Sequence, residues 1–169
     1  MTGVLRRRTR AREYALHILY MADVAGPEAY EQAGAYLEKE TRDLEIREYA
    51  WHLIAGVRES REEIDGWIRR TAKNWDLERM AALDRNILRI GIYELLHVEE
   101  VPPKVAINEA IEAAKRYSTA QSGAFVNGIL DRVRELAGKG NLPGGKAPPA
   151  PLPDPPPLTP DPAVDPLQA

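Results

Sequence analysis

The chain has 169 residues, a formal net charge of -3 and no cysteine. That length suits one ordinary domain with a sizeable core, and the missing thiols exclude disulfides, thiolate nucleophiles and thiolate metal sites together. No apolar run approaches the roughly 20 residues that span a bilayer, and no apolar stretch with a small-residue cleavage site follows the first arginines. The expectation is a soluble, cytoplasmic protein. Charge is placed unevenly: Arg6, Arg7, Arg8, Arg10 and Arg12 give the first twelve residues +5 with no acid among them, which leaves -8 on the remainder. An acidic body disfavours general sticking to polyanions, while a local basic patch permits focused binding.

In chain order the apolar period is helical throughout, with no convincing strand. Thr9 is placed to cap a first helix, preceded by a disordered basic arm, with an inner stripe of Ala11, Tyr14, Ala15, Ile18, Leu19 and Ala22; Gly26-Pro27 stops it. A short second helix runs through Tyr30, Ala33 and Leu37. Thr41 can start a third, carrying Tyr49, Ala50, Leu53, Ile54 and Val57; its continuation through Ile64, Trp67 and Ile68 is either the same helix or a separate one after Gly56. Asp76 is a plausible cap for a helix with Leu83, Ile87, Ile90 and Leu95 at helical spacing. Within it, "LRIGIYELL" is apolar on more than one face, which points to a central buried helix. Val101-Pro102-Pro103 forces a break, "VAINEAIEAAKRY" is helical again, and after "STAQSG" a last helix carries Phe125, Val126, Ile129, Leu130, Val133 and Leu136 to Gly138.

These segments make an all-α domain of about seven helices over residues 1–140. From Asn141 the chain holds 11 of its 14 prolines. Proline lacks a backbone donor and fixes φ, so residues 141–169 read as a disordered, polyproline-leaning tail.

Catalytic patterns are missing. His17, His52 and His97 are scattered without paired spacing, and there is no dinucleotide-binding glycine motif, Walker loop or nucleophile elbow. The chain therefore reads as no enzyme, with no metal or cofactor. The arginine run is a footprint for phosphate, because guanidinium groups grip phosphate oxygens with paired hydrogen bonds. Positive charge at a helix start also opposes the helix dipole, so its placement there serves something other than helix stability. Phe125 either stacks on an unpaired base beside a helix N-terminus or simply begins the core stripe of the last helix. Asp84 and Arg85 interrupt an apolar helix and mark either a protein interface or a solvent edge.

Three stretches together resemble the NusB family of transcription antitermination factors: "RTRAREYALHILY", "LDRNILRIGIYELL" and "VPPKVAINEAIEAAKRYS", the last followed by "SGAFVNGILD". The resemblance covers roughly residues 5–137 and leaves the proline tail outside. It implies helices in two packed bundles, one from each half, and binding to the single-stranded boxA segment of ribosomal RNA transcripts together with NusE, a small-subunit ribosomal protein, within an RNA polymerase antitermination complex. By position it implies RNA contacts at Arg6, Arg7, Arg8, Arg10 and Arg12 and at Gln121, Ser122 and Phe125, and partner contacts at Tyr20 and Asp84. Thr9 interrupts the basic run and Ala124 stands where the family often has lysine before "FVNG". The same module also resembles the front domain of certain ribosomal RNA cytosine methyltransferases. That reading would require a following domain with a nucleophilic cysteine. A third reading, from another class, is a protein-interaction module whose arginines meet acidic polypeptide. The expectation is that the arginines near the amino end and the beginning of the last helix form one continuous surface.

Overall fold

In a computed structural model the described residues are 2–72 and 75–138. They form seven α-helices: α1 (Thr2–Ala25), α2 (Glu28–Glu40), α3 (Leu44–Glu59), α4 (Arg61–Thr71), α5 (Ala82–His97), α6 (Pro103–Tyr117) and α7 (Ser122–Gly138). No strand occurs among the described residues. The expected proline tail lies outside them.

Several helix boundaries differ from those read in the sequence. α1 begins at Thr2, seven residues before the expected cap. The arginines are therefore helical and not a disordered arm, and the Thr9 hydroxyl sits inside the helix, 2.9 Å from the Leu5 carbonyl oxygen. The turn after α1 needs a left-handed residue, supplied by Gly26 at φ 119. Thr41 closes α2, and the cap of α3 is Asp43, whose carboxylate accepts from the Glu45 and Ile46 amides. The chain from Leu44 to Thr71 is two helices broken at Ser60, four residues after Gly56. Asp76 caps only a turn, accepting from the Glu78 amide, and α5 starts six residues later. Pro103 opens α6, where its missing N–H costs nothing.

α1, α2 and α3 pack on one another as one group; α5, α6 and α7 form the second, and α4 joins it by packing on α5 and α7. α1 and α5 make the seam. α5 is buried around nearly its whole circumference, from Asp84 and Asn86 through Leu88, Ile92 and Glu94, as its apolar run on several faces predicts. One continuous core joins both groups, with Leu53, Ile64, Trp67, Ile68, Leu88 and Leu130 inaccessible or nearly so.

Polar contacts fix how α1 lies on α5. Near the C-terminal end of α1, Asp23 accepts from Arg85 Nε (2.8 Å), Asn86 Nδ2 (2.9 Å) and Arg89 Nη1 (3.1 Å). Nearer its start, Arg12 Nε and Nη2 each reach Glu94 at 2.8 Å. Rising numbers on α1 pair with falling numbers on α5, so the two helices run antiparallel. Arg89 is also held by both oxygens of Asp65 on α4, at 2.8 and 3.0 Å. Asp23 remains below the usual carboxylate range: burial pushes its pKa up, but the Arg85 and Asn86 hydrogen bonds and the Arg89 charge outweigh that.

Candidate nucleic-acid interface

The five arginines of α1 do not share one environment. Arg6 is exposed. Arg7 bridges to the start of α3, with Nε 3.0 Å from Asp43 Oδ2 and Nη1 2.8 Å from Glu45 Oε2. Arg8 lays its guanidinium 4.7 Å from the ring centre of Tyr49 on α3. Arg10 is exposed, 3.2 Å from Glu13 and 5.7 Å from the Tyr14 ring. These three surface pairs are weak enough to exchange for a phosphate, since exposed ion pairs contribute about 0–1 kcal/mol.

Arg12 does not share this exposure. Expected among the outward guanidiniums, it is only 7% exposed and turned into the seam, where Glu94 (1% exposed) accepts from both its Nε and its Nη2. The Tyr49 hydroxyl donates to the same carboxylate. Burial works against the charge of Arg12, yet the Glu94 hydrogen bond and charge prevail and raise its pKa above the ordinary arginine value. Burial, then Glu94, pushes the Tyr49 phenol up as well, so it stays protonated and donating. The physical reason for the inward turn is register: Arg12 falls on the α5-facing stripe of α1 with Ala11 and Ala15, and a buried carboxylate waits there.

The second expected region, the start of α7, is also partly inward. Ser122 is 3% exposed; its Oγ lies 3.1 Å from Asp84 Oδ2, with the Ser118 and Thr119 hydroxyls at 3.0 and 2.9 Å. Asp84, expected as a partner contact, is thus 9% exposed and already engaged by Ser122. Its neighbour Arg85 is no solvent edge either, since it donates to Asp23 and to the Leu77 and Met80 carbonyls. Gln121 is exposed, while Tyr20 and Phe125 are half-buried. Phe125 meets Trp75 edge to face at 5.3 Å, and Trp75 is 61% exposed. The sequence reading overlooked Trp75, although a tryptophan in a short polar connection is itself a signal.

The two regions are separated along the molecule. Asp84 and Glu94 are ten residues apart on α5, about 15 Å, and Arg8 lies roughly another turn beyond Arg12. The start of α7 therefore stands about 20 Å from the arginine end of α1. What lies between was not foreseen. α6 runs beside α1 in the same direction: Thr9 approaches Glu109 at 2.9 Å and Glu13 pairs with Arg116. Arg6, Arg10 and Glu13 fall at i, i+4 and i+7 on one face of α1, and Arg116, largely exposed, takes the line across to α6. Its position one residue before the Tyr117 end of α6 was readable, but nothing marked it as facing α1.

A model of the NusB family matches residues 9–135. The chain belongs to the NusB family. A transcription antitermination protein NusB of Anaeromyxobacter sp. is 48% identical over 128 residues, covering 75% of this chain and 89% of that one. The solved structure of T. maritima NusB is 39% identical with a TM-score of 0.68, covering 80% and 97% of the two chains. A crystal structure of antitermination factors NusB and NusE in complex with dsRNA superposes with a TM-score of 0.67 at 29% identity, over 77% of this chain and 97% of that one. The regular elements of the described residues are all helices, and none of them is long and apolar enough to cross a membrane.

Proposed function

We propose that this protein is a transcription antitermination adaptor that binds boxA RNA together with NusE in the cytoplasm and joins the RNA polymerase antitermination complex, without catalysing a reaction. The observation that carries the reading is the row of exposed guanidiniums, Arg6 and Arg10 on α1 and Arg116 on α6, with the half-buried Arg8 over the Tyr49 ring beside them, on a chain whose family includes a NusB seen with NusE and RNA. Arg7 joins them when it releases Asp43 and Glu45. These cations supply affinity and orientation. Gln121 and Phe125 sit at the far end of the row, where an unpaired base can be met by an amide and a ring. The strand is single-stranded in this reading because only unpaired bases expose those edges.

Arg12, Ser122 and Asp84 take a different role. Being inward, they hold the arginine end of α1 and the first turn of α7 in place, while Tyr20 contributes to the NusE face.

The test is binding of boxA RNA and a scrambled RNA, with NusE, over a salt series. Four neutralised phosphates on a single strand give a log–log slope near -3, so a fourfold rise in salt weakens binding roughly 50-fold. Arg6→Glu, Arg10→Glu and Arg116→Glu should each flatten the slope by about 0.7 or more. Equal affinity for both RNAs, or slopes unchanged in all three variants, would overturn the reading.

A further inference from the structure

We propose that the groove between the start of α2 and the second half of α3 is a seat for the proline-rich tail of this same chain. The groove is lined by Tyr30 from α2 and by Trp51, Ile54, Ala55, Arg58 and Glu59 from α3, and it has a volume of about 370 Å³. That is the size of a ligand cleft. Its chemistry is that of a polyproline reader: two aromatic rings, an aliphatic floor and the Arg58 cation, with the Glu59 carboxylate beside it.

Three observations select the occupant. The indole Nε1–H of Trp51 is buried and meets no acceptor among the described residues. A polyproline helix makes no internal hydrogen bonds and so carries a free carbonyl at every residue, which is why aromatic-lined grooves recognise it. Arg58 is held with its guanidinium 4.3 Å from the Tyr30 ring centre, and from Ala147 onward the tail has three aspartates and no cation. In "PLPDPPPL", residues 151–158, Asp154 is set among prolines where it can meet Arg58 while the following prolines lie along the rings. Reach is sufficient. Residues 139–154 in extended polyproline form cover about 50 Å, more than the roughly 37 Å diameter of a compact body of this size.

Sequence alone reads the tail as disordered and polyproline-leaning; the groove gives part of it a binding place on α2 and α3, helices that carry neither Arg116 nor Phe125. The family match ends at residue 135, so this contact belongs to this chain and does not depend on the proposed RNA function.

The test uses the full chain with the photoreactive residue benzoylphenylalanine at exposed position Glu59. Irradiation followed by mass spectrometry should give crosslinks into residues 147–165 of the same molecule, at a yield independent of protein concentration. Pro155→Gly, Pro156→Gly and Pro157→Gly together leave the helical body untouched but remove the pre-set backbone. They should lower that yield about tenfold and shift the Trp51 indole N–H resonance, assigned through Trp51→Phe. No tail crosslink, crosslinks only between two molecules, or a yield and resonance indifferent to the three glycines would each overturn the proposal.

Discussion

Replacing Glu94 by glutamine should remove more stability than any surface charge in this protein. The Glu94 carboxylate is 1% exposed and accepts from Arg12 Nε and Nη2 at 2.8 Å, and from the Tyr49 hydroxyl. Glutamine keeps the shape but presents one oxygen, so one of these donors loses its acceptor and Arg12 loses its counter-charge. Two unit charges about 4 Å apart at an effective dielectric of 20 attract by about 4 kcal/mol. Breaking a buried pair from one side costs about 3–5 kcal/mol, since the remaining charge is stranded. For a body of this size, about 3–4 °C per kcal/mol makes that a fall in Tm on the order of 10–20 °C. Thermal unfolding followed by circular dichroism at 222 nm measures it. The apolar replacement of all three partners, Arg12→Met, Glu94→Leu and Tyr49→Phe, should recover most of the loss, because no polar group is then left unpaired. A loss below about 1 kcal/mol in Glu94→Gln would mean that water already shields the pair, and the description of Arg12 as locked inward would fail.

Gly56 is the one place where α3 admits the ring of Tyr93, since a Cβ there would collide with Tyr93 Cζ and its hydroxyl. Gly56→Ala should therefore cost about 1–3 kcal/mol through forced repacking, read as a lower urea midpoint with an unchanged m-value. Asp43→Ala removes the α3 cap and the partner of Arg7; about 1 kcal/mol is expected in chemical denaturation, nearly all from the cap. The alkaline limb has a definite sign. Burial pushes Tyr36 and Tyr93 up to about 12 and Tyr49 higher still. Native tyrosines thus keep protons that the unfolded chain sheds near pH 10, so stability is full below pH 10 and declines above it. Urea midpoints at pH 9, 10 and 11 should fall in that order, and Tyr49→Phe should lessen the decline.

Much of the architecture was legible because helical periodicity is written in side chains that must face a core. The stripe Ala11, Tyr14, Ala15, Ile18 and Leu19 is buried as its spacing requires, and the many-sided apolar run of α5 places it at the centre. Helix starts were harder. Thr9 and Thr41 are good caps in isolation, but α1 extends back to Thr2, and Asp43 offers a better acceptor than Thr41 two residues later. The sequence reading treated the arginines as equivalent because composition cannot distinguish a guanidinium facing Glu94 from one facing water. Eighty-two residues separate Arg12 from Glu94 and thirty-eight separate Asp84 from Ser122. Such pairings arise only when α1, α5 and α7 are assembled, so no local pattern announces them. Arg116 and Trp75 were missed for the same reason: each matters through a neighbour on a distant helix, Glu13 and Phe125.

The antiparallel contact of α1 with α5 is pinned twice, by Glu94 on Arg12 near one end and by the trio around Asp23 near the other. Sliding either helix by a single turn would strand charges at both pins at once, so the offset between them cannot drift with temperature or load. A molecule clamped in this way behaves as a gauge: whatever flexible chain lies along it must bring its contacts to marks whose interval the protein, and not the ligand, sets.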